Sequence, residues 1–404
     1  MQNDTIAAIA TPQGYGGIGI VRVSGSEAFA IVLPLLRRHG KGDHSELPLP
    51  PSHQLTYGHI VVPTTQEILD ETLVTFMRAP HTYTREDVVE IQGHGGPLVL
   101  QRILLLVLAQ GARMANAGEF TLRAFLNGRL DLAQAEAVMD LISSQTEMGH
   151  RLAIQQLQGR ISEQVQDARH DLLGVIARIE ASIDFPEEEV PQPQPEELAP
   201  LILAAQSKVQ RLLAGFEQGR LYKQGLRTAI IGRPNVGKSS LLNALLRSER
   251  AIVTPFAGTT RDTVEEVANV RGLPLHLIDT AGITAPSASS DPVEQIGVER
   301  SRAAAESADL VLLVFDGSEP LNEQDRRVSD EVWSMGFGGR NNEIDQDFAR
   351  RRPAIIVINK TDSRQQVEIE QLKQMWRDAP FAHTSALTGA GLPELEEAIV
   401  NLAL

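Results

Sequence analysis

The stretch RTAIIGRPNVGKSSLLNALL (227–246) constrains this chain more than any other. A β-branched apolar run leads into a glycine-bearing loop, and a helix-forming run follows. Gly232, Gly237, Lys238 and Ser239 satisfy G-x-x-x-x-G-K-[ST] in the strand–loop–helix setting the pattern requires. In such a loop, Asn235, Val236, Gly237, Lys238, Ser239 and Ser240 turn backbone N–H groups toward phosphates at a helix N-terminus. Lys238 would reach the outer phosphates, and the Ser239 hydroxyl would ligate magnesium. The plainer alternative is a glycine-rich turn that merely starts a helix.

The residues around this loop repeat its logic. RTAIIG, LHLIDTAG, LVLLVFDG and PAIIVINK are short apolar runs that each end in a polar or glycine turn, with helical patterns between them. That alternation predicts a mostly parallel sheet with crossover helices and chemistry at the carboxyl ends of its strands. NKTD (Asn359, Lys360, Thr361, Asp362) follows one such strand. A carboxylate at Asp362 accepts the paired N–H groups of guanine, which adenine does not offer. SAL (Ser385, Ala386, Leu387) comes later and offers a backbone N–H to the base oxygen. Alone, NKTD is an ordinary surface tetrapeptide; in this order it favours GTP. DTAG (Asp279, Thr280, Ala281, Gly282) reads as the loop beside the last phosphate. It is followed by Ile283, where many GTPases carry a water-orienting Gln. Between these loops lies TPFAGTTRD (Thr254, Pro255, Phe256, Ala257, Gly258, Thr259, Thr260 and onward). There Thr260 is a second candidate magnesium ligand on a segment ordered by GTP.

A chain of 404 residues, 42% hydrophobic and 22% charged, predicts two or three globular domains. Residues 1–118 mix short strands with a helix over 97–113 closed by Gly111, and read as an α+β domain. Residues 119–222 carry two apolar stripes at helical spacing, from Leu157 to Ile183 and from Leu201 to Phe216. The stripes predict a hairpin that buries one against the other, with a proline-rich, non-helical turn over 185–198. Residues 223–404 form the α/β nucleotide domain, with SMGFGGRNNEIDQDFARRR (334–352) as a polar surface insertion. GYGGIG (14–19) matches a dinucleotide fingerprint, but strand-like IVRVSG follows it where a helix is needed. The absence of cysteine, of a basic–apolar leader and of a spanning apolar run fits a cytoplasmic chain with no membrane contact. A net charge of −15 disfavours direct nucleic-acid binding except on a local basic surface or through a second protein.

GRPNVGKSS, GTTRD, DTAG, NKTD and SAL, in that order, resemble the translation-factor-like branch of P-loop GTPases. Three further stretches, PQGYGGIGIVRVSG, YTREDVVEIQGHGG and GEFTLRAFLNGRLDLAQAEAVMDLI, resemble the MnmE (TrmE) family of tRNA-modification GTPases over the whole chain. The resemblance implies an N-terminal folate-binding and dimerising domain, and a helical domain into which the GTPase domain is inserted. It also implies homodimers that join an FAD-dependent partner, MnmG, in a heterotetramer. That assembly would build a carboxymethylaminomethyl-type group on C5 of the wobble uridine (position 34) of certain tRNAs. The carbon would come from a 5-formyl- or methylene-tetrahydrofolate. GTP hydrolysis would need Mg2+ and K+, with Asn235, Thr254, Phe256 and Thr259 at the potassium positions, Phe256 through its carbonyl. Asn235 also suits an ordinary turn.

Arg22, Glu90 and Arg129 fall on folate-contacting positions of the family; without the motifs around them they read as surface charges. His94, between glycines, reads as structural more readily than catalytic. Glu294, with Lys238, falls on a catalytic position as the water-orienting carboxylate. Its spacing from Asp291 and Pro292 also suits a helix cap. Family members continue into a second helical half and a cysteine motif that this sequence does not contain. A GTP-dependent interaction switch and a folate- and GTP-binding scaffold without turnover therefore stand as alternatives.

Overall fold

The computed structural model describes residues 4–38, 49–184, 193–248, 266–278, 304–338 and 352–404. Contacts divide them into two compact units. One runs to Met139 and includes Leu157–Ser162; the other holds the remaining helices and the C-terminal sheet.

The first unit is built on a sheet in the order β3-β4-β5-β6-β2-β1-β7. The strands are β1 (Ile6–Ile9), β2 (Gly16–Ser24), β3 (Leu36–Arg38), β4 (Leu55–Val61), β5 (Ile68–Met77), β6 (Val88–Gly95) and β7 (Arg113–Met114). Pairing is antiparallel except between β1 and β7. Alternation puts Val21, Val23, Val89, Ile91, Val74 and Phe76 on one buried face. Helix α1 (Ala28–Val32) and helix α2 (Pro97–Ala109) cover it. Leu100, Ile103, Leu104 and Val107 of α2 recur at helical spacing and are buried against the sheet. A Cβ at Gly19 would lie 2.4 Å from Leu100, so the glycine lets α2 approach. The GYGGIG stretch leads into β2 and not into a helix, as the residues after it require.

Helix α3 (Glu119–Leu126) is locked to this sheet by charge. Arg123 donates to Asp4 (2.7 Å), Glu86 (3.1 Å) and Glu119 (3.3 Å), and Arg113 pairs with Asp4 and Glu119 at 2.6 and 2.7 Å. Contacts therefore do not break at residue 118, where the change of sequence texture put a boundary.

Five helices follow: α4 (Leu132–Ser143), α5 (Glu147–Leu157), α6 (Arg160–Asp184), α7 (Pro195–Ala214) and α8 (Phe216–Gln224). The expected burial of stripe against stripe is corrected here. Lys208 of α7 reaches Asp171 of α6 at 2.7 Å, and Ala168, Val175 and Ala205 are buried. Val165, Leu172, Ile176, Ile183, Val209 and Phe216 stay exposed. One neighbour covers only part of an apolar stripe more than about 100° wide. The non-helical turn is also shorter than expected. Pro195 opens α7 at its first position, where a missing N–H costs nothing, and Pro200 lies inside the helix. No described helix is long and apolar enough to cross a membrane.

The second sheet has the order β12-β13-β11-β8-β10-β9, with β14 also on β13. Its strands are β8 (Leu226–Ile231), β9 (Glu266–Val270), β10 (Leu273–Ile278), β11 (Leu310–Asp316), β12 (Phe337–Gly338), β13 (Arg352–Asn359) and β14 (Phe381–His383). All described pairings are parallel except β9 with β10. The continuous burial of β11 reflects cover on both faces. Helices α9 (Lys238–Ser248), α10 (Glu323–Ser334), α11 (Ile369–Met375) and α12 (Leu392–Ala403) belong to this unit.

The ends of the 334–352 stretch are not surface loop. Phe337 is fully buried on β12. Arg352 lies 4.1 Å from its ring centroid and donates to four backbone carbonyls, of Ala305, Glu306, Ala308 and Met335. Residues 339–351 lie outside the described residues.

The charge network around α3 gives the first unit an acid limit. Hydrogen bonding from Arg113, opposed by burial and helped by the Asn116 N–H, brings the Glu119 carboxyl down from 4.5 to about 2. A folded value below the unfolded one adds stability above pH 4.5, and that contribution is lost as pH falls toward 2. The shift corresponds to about 3 kcal/mol. We expect Glu119→Gln to lose an amount of that order at neutral pH and to flatten the dependence of stability on pH between 4.5 and 2. Urea titrations of both proteins across that range would show it.

Candidate nucleotide site and N-terminal site

The phosphate-binding loop sits where β8 ends and α9 begins. Two left-handed residues make its turn, Asn235 at φ 66° and Gly237 at φ 97°. Asn tolerates that conformation; at Gly237 space also decides, because a Cβ would lie 2.3 Å from Asn359 Nδ2. Lys238 Nζ donates to the Gly232 and Arg233 carbonyls at 2.8 and 2.9 Å, which holds the ammonium in the mouth of the loop. Val236 is buried beneath it, while Asn235, Ser239 and Ser240 are exposed.

The base loop begins at the end of β13. The Asn359 side chain donates from Nδ2 to the Val236 carbonyl (2.9 Å). Its Oδ1 accepts from the Ala386 N–H (3.1 Å) and the Thr384 hydroxyl (3.4 Å). Lys360, at φ 64°, pairs with Asp316 at 2.5 Å. Burial works to raise the Asp316 carboxyl, but hydrogen bonds from Lys360 and Ser318 hold it below its ordinary value. The Asp362 carboxyl is also held low, chiefly by the Ser385 hydroxyl on its Oδ1 at 2.5 Å. It is therefore an acceptor at neutral pH, as recognition of a guanine N–H edge demands. The Thr361 N–H bonds to the Thr384 carbonyl (3.1 Å), so NKTD and SAL, including exposed Leu387, form one assembly. Thr254, Pro255, Phe256, Ala257, Gly258, Thr259, Thr260, Asp279, Thr280, Ala281, Gly282 and Glu294 lie outside the described residues.

A second constellation forms in the N-terminal unit. Arg22 and Glu90 are directly opposite on β2 and β6 and pair at 2.7 Å. The Arg22 guanidinium lies 5.6 Å from the ring centroids of both Tyr83 and Phe120. Arg129 stacks 4.7 Å from Tyr83 and donates to its carbonyl at 2.9 Å. Arg22 and Arg129, from distant parts of the sequence, thus converge on Tyr83, and Glu90 joins them through its pair with Arg22. Sequence reasoning missed Tyr83 and Phe120, although both fall inside the motif stretches. His94 is exposed, and its Nδ1 meets Asp70 at 2.7 Å. That hydrogen bond, aided by the charges of Asp70 and Glu71, raises the imidazole above its ordinary value.

A parallel sheet carrying a G-x-x-x-x-G-K-S loop bridged to an NKxD loop defines a P-loop GTPase, here joined to an α+β domain and a helical layer. The comparisons with known proteins agree. Residues 5–129 match the family "GTP-binding protein TrmE N-terminus", and residues 132–404 match "MnmE helical domain". The chain is 48% identical to the tRNA modification GTPase MnmE of Geobacillus thermodenitrificans, over 99% of this chain and 82% of that protein. It is 48% identical to that of Streptococcus suis (99% and 81%) and 45% identical to that of Alkaliphilus oremlandii (99% and 82%). The chain belongs to the family of the tRNA modification GTPase MnmE.

Gly237→Ala tests the loop geometry. The substitution imposes a strained φ of roughly 1–3 kcal/mol and a clash with Asn359. We expect GDP affinity, measured by titration of a fluorescent analogue, to fall about ten- to a hundredfold.

Proposed function

We propose that this chain hydrolyses GTP to drive modification of C5 of the wobble uridine, position 34, of certain tRNAs. It would act with the FAD-dependent partner MnmG and use a tetrahydrofolate-derived carbon to install a carboxymethylaminomethyl-type group. The observation that carries the reading is the cluster in which Arg22 meets Glu90, Tyr83 and Phe120 while Arg129 stacks on the same Tyr83, in the same chain as a GTP site. A bare GTPase has no use for it. The donor set suits a folate: a carboxylate accepts the paired N–H edge of a pterin, aromatic rings stack, and guanidinium groups take glutamyl carboxylates.

In the GTPase domain, Ser239 and Thr260 would hold magnesium. Asn235, Thr254, Phe256 and Thr259 would hold potassium, whose charge would offset that building between the β- and γ-phosphates. Asn235 is exposed in its left-handed turn, which leaves its amide available to a cation. Lys238 binds the outer phosphates, and Glu294 orients the attacking water in place of the Gln that Ile283 replaces. Homodimerisation through the N-terminal domain is supported by exposed Leu55 and Tyr57 of β4 and Leu73 of β5, on the sheet face that α2 does not cover. The domains follow the bounds 1–118, 119–222 and 223–404 in this reading, with the first extended to take in α3, which its arginine network ties to the N-terminal sheet. The assembly works in the cytoplasm as a heterotetramer with MnmG.

Nucleoside mass spectrometry on tRNA from cells relying on this chain tests the central claim. Modified wobble uridine is expected; its absence, with GTP hydrolysis intact, would leave only a GTP-dependent switch. The catalytic assignments have separate tests. Glu294→Ala is expected to retain GTP affinity while losing most turnover. Steady-state hydrolysis should be faster in potassium than in sodium, and equal rates would remove the cation from the mechanism.

A further inference from the structure

Three acids between the end of β11 and the first turn of α10 hold partners in the nucleotide site: Asp316, Glu319 and Asp325. Asp316 pairs with Lys360 of the base loop, as described above. The other two reach the phosphate-binding loop. Arg233 Nε lies 3.0 and 3.2 Å from the two carboxylate oxygens of Asp325, and its Nη2 lies 2.6 Å from Glu319. The Arg233 side chain is 10% exposed and that of Asp325 is 5% exposed, whereas Glu319 is 56% exposed. The buried contact is therefore Arg233 with Asp325, and Glu319 closes it from the surface.

Asp325 has a second task. It occupies the third position of α10, where its Oδ2 accepts the Asn322 N–H at 3.1 Å while Asn322 Oδ1 accepts the Asp325 N–H at 3.0 Å. This reciprocal cap fixes the carboxylate before Arg233 arrives. Arg233 in turn presents its carbonyl to Lys238 Nζ at 2.9 Å. The chain of contacts thus runs from the start of α10, through one guanidinium, to the carbonyl that holds the phosphate-binding ammonium. A helix cap needs only Asn322 and Asp325. Burying an arginine on it costs desolvation, and a planar guanidinium that bridges a fixed carboxylate and Glu319 returns geometry.

We propose that Arg233 and Asp325 are positioning residues of the nucleotide site, a clamp that ties the phosphate-binding loop to the start of α10. The clamp sets nucleotide affinity through Lys238 and leaves the hydrolytic step at saturation nearly unchanged. The inference rests on the phosphate-binding role of the 232–240 loop, which Lys238→Ala tests by itself: if that variant binds GDP normally, the site reading fails and the clamp with it.

The clamp is tested on the full chain by fluorescent-GDP titration, GTP turnover and thermal unfolding. Arg233→Ala and Asp325→Asn are each expected to weaken GDP binding about tenfold, with kcat changing far less than KM. Asp325→Asn keeps an oxygen for the Asn322 N–H, so it reports on the clamp even where Arg233→Ala folds poorly. The double variant should bind no worse than either single one. Arg233→Lys should recover only part of the affinity, because one ammonium does not replace the separate Nε and Nη2 donors that reach Asp325 and Glu319. Asn322→Ala removes the cap and spares the ion pair; it should lower the Tm and leave affinity within about twofold. Affinity within twofold of the parent chain in both Arg233→Ala and Asp325→Asn would overturn the clamp. Equal weakening by Asn322→Ala would reduce it to helix stability and overturn it as well.

Discussion

The nucleotide half of this molecule depends on one buried amide. Asn359 is 2% exposed, and each end of its planar side chain is committed to a different loop. The donor end holds the phosphate-binding loop at the Val236 carbonyl, and the acceptor end holds the base loop at Ala386 and Thr384. A buried amide left half-paired costs about 1–3 kcal/mol, so neither loop can drift without a penalty felt by the other. The sheet register makes this possible. Asp316 lies opposite Asn359, so β11 and β13 end level, while β8 ends at Ile231, opposite Leu313, three residues earlier, and leaves room there for the phosphate-binding loop. Phosphate and base recognition are thereby spaced by backbone pairing and locked by a single side chain.

The N-terminal unit solves a similar problem with guanidinium groups. Arg123 is nearly enclosed, and Asp4, Glu86 and Glu119 surround it from the chain start, the loop before β6 and α3. Asp4 and Glu86 are remote in sequence, Glu119 lies one turn back on the same helix, and a buried charge among them would be costly alone. Ser24 and Thr84 extend the network through Glu86, and the Asn127 amide donates to the Thr84 carbonyl. The same loop, residues 79–87, carries Tyr83. The arginine network therefore holds in place the aromatic ring on which Arg22 and Arg129 converge. The polar groups behind the site are satisfied by this network.

What the sequence made legible follows the range of the interactions. The phosphate-binding loop, the apolar strands around it and α2 are written in contiguous patterns, and each appears where its pattern falls. NKTD was readable as a base loop, but not the role of Asn359 as a strut, because its partner Val236 lies 123 residues away. Tyr83 and Phe120 carry no periodic signal; their place beside Arg22 exists only after β2, β6 and α3 have come together. The buried strand β12 hid in a polar stretch because two residues, Phe337 and Arg352, outweigh the composition of the others. The helical stripes misled differently. Their period was right, and it defined α6 and α7. A stripe states what needs cover, however, and not how much of it one neighbour supplies.

Charge connects these threads to the RNA. The chain carries a net −15. Arg22, Arg113, Arg123, Arg233 and Arg352 are bound to carboxylates or backbone carbonyls of the chain itself. A guanidinium committed in that way cannot also neutralise an RNA phosphate without breaking its pair, and nucleic-acid affinity scales with the phosphates neutralised. These five guanidinium groups organise contacts within the chain. In the proposed function, a tRNA phosphate would therefore have to be met by cations other than these five.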